Sequence, residues 1–307
     1  MRSILIAAMA LTGWVSKSAA RPLTVPFAFD RGELAFDAEI DGHPVFVMLD
    51  TGVDPSGIDL ATAERLGLLV EKRAGGEASG EGDGRSAMAY PSRIVGLSIA
   101  GRRFAPFVAL ASDMTGLSEG YGRPLHAVLG YSFLRRHAVL VDYPNNRLSF
   151  IDRRADVGAL TRGCGTHWEQ PLRLLKGLNW PVISGFHIGA ATAPVSLDTG
   201  SNAGVALYQS ALALPGVRAA LTNAGTVEHG GFRGSARISA YTFNAGIGFG
   251  PFELPPGQAV TVRSEIGSPS TRVANVGNQV LARMRLKMLV DYPGRRIAFW
   301  GSCLPQA

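Results

Sequence analysis

Two aspartates with matching neighbours are the residues of this chain best suited to chemistry. Asp50-Thr51-Gly52 and Asp198-Thr199-Gly200 repeat one tripeptide 148 residues apart, each behind an apolar run, Val45-Phe46-Val47-Met48-Leu49 and Pro194-Val195-Ser196-Leu197. At ordinary residue usage, even one such tripeptide arises by chance in only several per cent of chains this long. The matched carboxylates suggest a paired-aspartate active site. Two aspartates in contact cannot both ionise cheaply, so their surroundings leave one as a base and the other as an acid.

The tripeptide opens a longer internal repeat. Val128-Leu129-Gly130 recurs as Asn275-Val276-Gly277, and Val141-Asp142-Tyr143-Pro144 recurs as Val290-Asp291-Tyr292-Pro293. Arg147-Leu148-Ser149-Phe150 and Arg296-Ile297-Ala298-Phe299 continue the match, all within one residue of the same offset. Elements in one order at a nearly constant offset imply two copies of one structural unit, with a boundary near residues 152–168.

The elements that must position the aspartates are mostly strands. Leu34, Phe36, Ala38 and Ile40 alternate with Ala35, Asp37 and Glu39, the period of a half-buried strand, and Asp41-Gly42 signals a turn. The strand Val45–Leu49 then delivers Asp50 at its end. A short helix follows over Leu60–Leu66, closed by Gly67. Ser92–Leu97 and Arg103–Leu110 read as strands around a turn at Ala100-Gly101, and residues 74–86 and Asn223–Gly234 as Gly-rich loops or hairpins. Only short helices fit, so the chain is expected to be mainly β.

With these residues in place, the chain resembles an aspartic peptidase of the retropepsin-like group in the pepsin and retropepsin clan, of an exported bacterial type with two fused units. Phe46–Leu68 and Ala127–Phe150 carry most of the likeness. The resemblance implies two pseudo-twofold-related acid-protease β-barrel lobes with short helices, over residues 21–152 and 168–302. It implies Asp50 and Asp198 as the catalytic pair that activates a water for peptide hydrolysis, one ionised and one protonated. Gly52 and Gly200 would admit close backbone approach to the pair, while Thr51 and Thr199 would bond across the two loops. Gly130 and Gly277 would let a strand pack beneath each loop, and Ser201 would donate a hydrogen bond to Asp198. Gly75–Gly84 and Glu228–Gly234 are candidate flaps over an extended peptide, neither containing a tyrosine. No cofactor or metal is expected, and the partner is a peptide or protein substrate met by a monomer.

Two positions depart from the pattern. Val53 follows Gly52 where Ser201 follows Gly200, and Asn275 stands where an apolar residue is expected. These departures leave a second reading open, a non-catalytic peptide-binding or regulatory protein with an inactive fold of this kind.

Composition narrows the remaining classes. The 307 residues are enough for two domains, each with its own core. Residues 1–20 read as a secretory signal: Arg2, an apolar centre over Ile4–Val15, and Ser18-Ala19-Ala20 as the cleavage site. Mature chain would start at Arg21 in a periplasmic or secreted setting. No later stretch reaches the roughly 18 apolar residues of a membrane span. Cleavage would remove Arg2 and Lys17 and lower the formal charge from +6 to +4. The basic residues are scattered, without the aromatic-interleaved stripe expected of a nucleic-acid surface, and the six histidines lack metal-ligand spacing. Cys164 and Cys303 flank the second copy, and in an exported protein they are expected to form a disulfide contributing ~4 kcal/mol.

Overall fold

The alternation around Leu34 becomes the strand Ala35–Ile40, with Phe36, Ala38 and Ile40 buried and Asp37 and Glu39 exposed. Its neighbour His43–Leu49 is buried on both faces from Val45 onward. Val45, Val47 and Leu49 join the main core, whereas Phe46 and Met48 join a second cluster with Met114, Tyr121, Leu125 and Val128. Burial on both sides explains its unbroken apolar run, and it pairs in parallel with Ala127–Leu129. The computed structural model describes residues 22–78, 80, 87–152 and 154–303. The expected signal segment, residues 1–20, and residues 79 and 81–86 of the first Gly-rich stretch lie outside the described residues.

The architecture is mainly β, with several sheets and a few short helices. In the first half, nine strands form one sheet in the order Gly76–Ala78, Ala87–Ile94, Phe107–Ser112, Gly57–Asp59, Ala127–Leu129, His43–Leu49, Ala35–Ile40, Leu97–Ile99 and Arg102–Arg103. The second half repeats that order. Leu221–Gly231, Gly234–Phe243, Gln258–Val262, Val205–Leu207, Ala274–Gly277, Ala191–Asp198, Pro181–Ile188, Ile247–Phe249 and Phe252–Leu254 run side by side, with Arg173–Leu174 added on Pro181–Ile188. Some expected boundaries move. Ser92–Leu97 is divided between Ala87–Ile94 and Leu97–Ile99, because Gly96 adopts a left-handed φ of 70° and turns the chain. Arg103–Leu110 is likewise divided between Arg102–Arg103 and Phe107–Ser112. The Gly-rich stretch after Asn223 is a strand of a long hairpin; cross-strand pairing with Gly234–Phe243 overrides its turn-like composition.

A third sheet joins the halves. Its order is Leu23–Pro26, Arg147–Ile151, Ala138–Asp142, Lys287–Asp291, Arg296–Cys303 and Cys164–Pro171, all antiparallel. At its centre Leu140 faces Leu289, its own counterpart in the repeat, so an approximate twofold axis passes between the copies. The central pair also encloses an ion pair. Lys287 Nζ lies 2.9 Å from Asp142 Oδ2, with both side chains almost fully buried, and donates to the Leu160 carbonyl at 2.7 Å. At the edge of the sheet, Cys164 and Cys303 face each other and are joined by a disulfide with an S–S distance of 2.07 Å.

The helices serve as short props. Leu60–Arg65 is capped by Asp59, whose carboxylate accepts from the Thr62 amide at 2.8 Å. Among the described residues, no helix is long and apolar enough to cross a membrane.

Candidate active site

The strands His43–Leu49 and Ala191–Asp198 occupy matching places in their sheets and bring the two Asp-Thr-Gly segments together. The threonines interlock. The Thr51 amide donates to Thr199 Oγ1 (2.9 Å), and the Thr199 amide donates to Thr51 Oγ1 (3.1 Å). Each hydroxyl then donates onward into the opposite strand, Thr51 to the Leu197 carbonyl (2.9 Å) and Thr199 to the Leu49 carbonyl (3.0 Å). Both threonines are buried, so all four bonds form away from competing water.

The interlock holds each glycine against the aspartate of the other copy. A Cβ on Gly52 would stand 2.6 Å from Asp198 Oδ1, and one on Gly200 would collide with the Asp50 carboxylate. Only a residue without a side chain fits at either place. Gly130 and Gly277 lie under the same loops. A Cβ at Gly130 would stand 2.5 Å from the Val53 carbonyl, and one at Gly277 would stand 2.7 Å from the Ser201 carbonyl.

The carboxyl environments differ. Asp50 is buried, and burial together with the adjacent Asp198 charge holds its carboxyl well above the usual range. Within its loop, Asp50 Oδ1 accepts from the Gly52 amide at 2.6 Å. Asp198 is half-buried and accepts on both oxygens, from the Gly200 amide on Oδ1 (3.0 Å) and from Asn275 Nδ2 on Oδ2 (2.8 Å).

The expected Ser201 donor is therefore replaced. Ser201 Oγ instead accepts from the Ala203 amide at 3.4 Å, and the side-chain donor to Asp198 is Asn275, one of the two departures in the sequence. The strand Ala274–Gly277 runs parallel to Ala191–Asp198 and sets Asn275 two residues before Gly277, within reach of the carboxylate. Val53 offers only its backbone, whose carbonyl accepts from the Tyr131 amide at 2.8 Å.

Sequence patterns gave no sign of another support, Asn278. Its buried amide donates to the Gly32 carbonyl (2.9 Å) and the Thr199 carbonyl (2.7 Å), while its oxygen accepts from Tyr143 Oη (2.7 Å). It thereby ties the second aspartate loop to both halves of the molecule. Its repeat counterpart is Tyr131, so the repeat itself could not reveal the role.

Of the candidate flaps, the second forms the end of the hairpin Leu221–Gly231 with Gly234–Phe243. Phe232 at its tip packs against the Met114, Tyr121 and Phe46 cluster of the first half and lies against Gly80. The hairpin thus reaches from one half to the other. Tyr90, just beyond the first candidate flap, lays its ring against Gly75.

Residues 36–133 match the family model described as Aspartyl protease. Over 116 residues the chain is 34% identical to DNA damage-inducible protein 1 of Kluyveromyces lactis, a match covering 37% of this chain and 25% of that protein. The chain thus spans about a quarter of the length of that relative. Among solved structures, Basic 7S globulin from soybean is similar with a TM-score of 0.49 at 12% identity, covering 92% of this chain and 95% of that one. Both sequence matches support an aspartyl protease family, and the family model falls on the half of the chain that contains Asp50.

Proposed function

We propose that the chain is an exported, single-chain aspartic endopeptidase in which Asp50 and Asp198 act as one dyad on a peptide or protein substrate. The reading is carried by the four-bond threonine interlock, which holds the glycine of each Asp-Thr-Gly segment against the aspartate of the other. The aspartyl protease match over residues 36–133 supports the same chemistry. Asn275, which by itself suggested loss of activity, donates to a dyad carboxylate, so it does not favour the non-catalytic alternative.

The differing environments assign the roles. Hydrogen bonds to both oxygens favour a charged Asp198, and burial favours a protonated Asp50. Asp198 then takes a proton from a water as that water attacks the scissile carbonyl carbon, while the Asp50 proton passes to the carbonyl oxygen. As the tetrahedral intermediate collapses, Asp198 passes its proton to the departing nitrogen, the C–N bond breaks, and Asp50 regains its proton. The products are one carboxylic acid and one amine.

The disulfide supports an exported location, because such bonds persist in oxidising compartments. Purified chain incubated with a diverse peptide pool is expected to cleave internal bonds best in mildly acidic solution, at roughly pH 4 to 6, where the dyad keeps one shared proton. Cleavage should fade as pH rises through the Asp50 titration and the acid is lost. Mass spectrometry of the pool at each pH is the check. An absence of new peptide termini at every pH would exclude the proposal.

A further inference from the structure

The two copies share their Asp-Thr-Gly motif but differ in what stands behind each aspartate. Behind Asp198, Arg272 Nη1 donates to Ser196 Oγ (3.0 Å), Ser196 Oγ donates to Asn275 Oδ1 (2.7 Å), and Asn275 Nδ2 donates to Asp198 Oδ2 (2.8 Å). Ser196 and Asn275 are buried and directly opposite each other in the parallel strand pair. The Arg272 guanidinium is held over two aromatic rings, 4.7 Å from the Trp180 centroid and 4.8 Å from the Tyr208 centroid.

The repeat identifies the corresponding residues in the first copy. Val128 faces Met48 as Asn275 faces Ser196. The His126 amide bonds to the Phe46 carbonyl as the Val273 amide bonds to the Pro194 carbonyl, which makes Leu125 the counterpart of Arg272. Met48, Leu125 and Val128 all lie in one apolar cluster. A chain of three polar residues has thus replaced three apolar ones behind only one of the two aspartates.

We propose that Arg272, Ser196 and Asn275 form a positioning relay that fixes the negative charge of the dyad on Asp198. The proposal rests on the peptidase reading and deepens it. Asn275 can aim its N–H at Asp198 only if its oxygen faces the Ser196 hydroxyl. That hydroxyl, which also meets the Tyr208 phenol, donates to Asn275 at 2.7 Å and reaches the Ala274 carbonyl only at 3.4 Å, while its oxygen accepts from a group that cannot accept in return, the Arg272 guanidinium. The cation at the far end orders both neutral dipoles toward a negative carboxylate. Opposite Asp50, the apolar set provides no such order and leaves that aspartate to hold the proton.

Other titratable groups face Asp198: Asp50, the Tyr208 phenol and the His229 imidazole, which is 3.2 Å from Arg263 Nη2. Glu265 lies near Tyr208, His229 and Arg263. Burial pushes Tyr208 up to about 12, so it stays neutral through the acidic range. Burial lowers His229, so a His229→Gln background separates its titration from that of the dyad.

The test uses the full chain with ¹³C-carboxyl-labelled aspartate, read by NMR from acid to neutral pH, beside the pH profile of peptide cleavage. Each variant carries the residue of the other copy. Asn275→Val is expected to raise the lower apparent titration of the dyad by about one pH unit, a tenfold change in proton affinity. The acidic limb of the cleavage profile should move with it, kcat falling about tenfold and KM changing little. Arg272→Leu should move both in the same direction by about threefold, with His229→Gln leaving these shifts in place. An unchanged dyad titration in folded Asn275→Val overturns the relay. If that variant does not fold, an unchanged titration in Arg272→Leu overturns it. The NMR readout needs no turnover, so failure of the relay stays distinct from failure of the peptidase reading.

Discussion

Asp50→Asn and Asp198→Asn are each expected to lower peptide hydrolysis by roughly 10³-fold or more, because each removes one half of the acid–base pair. Both substitutions keep the shape of the side chain and an oxygen to accept the loop amide of Gly52 or Gly200, so the fold should survive. Steady-state cleavage with matched circular dichroism is the measurement. Either variant, folded and retaining more than about a tenth of parent activity, would refute the dyad. Asp50→Asn should also change how stability depends on pH. The folded carboxyl titrates above its unfolded range, so the folded chain binds more protons between the two values. The Asp50 contribution to stability is therefore greatest in acid and falls as pH rises through that window. Melting temperatures across the same window should fall less in Asp50→Asn than in the parent.

The largest expected effect on stability comes from Lys287→Met. This change leaves the Asp142 carboxylate buried without its cation, a loss of about 3–5 kcal/mol. Asp142 keeps the hydrogen bonds from Asn145 (2.9 Å from Nδ2 to Oδ2), so the cost should come chiefly from the unpaired charge. Adding Asp142→Asn to Lys287→Met removes that charge and should recover part of the loss. Urea unfolding of the parent, the single variant and the double variant gives the comparison. A shift below about 1 kcal/mol in the single variant would mean that the pair is not a significant prop.

The spacing of the two tripeptides made the meeting of the two Asp-Thr-Gly segments legible, because it was embedded in other repeated elements at nearly the same offset. Alternation made Ala35–Ile40 legible, and the apolar run made His43–Leu49 legible. The hairpin strand Leu221–Gly231 was obscured, since cross-strand bonds sustain it despite three glycines that favour turns. Asn275 was visible only as an exception. Its meaning depended on a parallel strand placing it beside Ser196 and on Arg272 lying behind them, a contact that no local pattern encodes. Lys287 was hidden for a related reason: its partner Asp142 is distant in sequence and adjacent only through the joining sheet.

That sheet also bears on whom the chain can pair with. Since Ala138–Asp142 lies against its own repeat counterpart, the strand is nearly self-complementary and has the geometry to meet the same strand of a second molecule. In such an exchange centred on Leu140, Asp142 would face Ala138 and two buried carboxylates would be left without a cation. The second copy supplies Lys287 at the position matching Ala138, so closure within one chain neutralises a charge that exchange between chains would strand. The same lysine that props the interface thereby makes the two halves of one molecule better partners for each other than for a stranger.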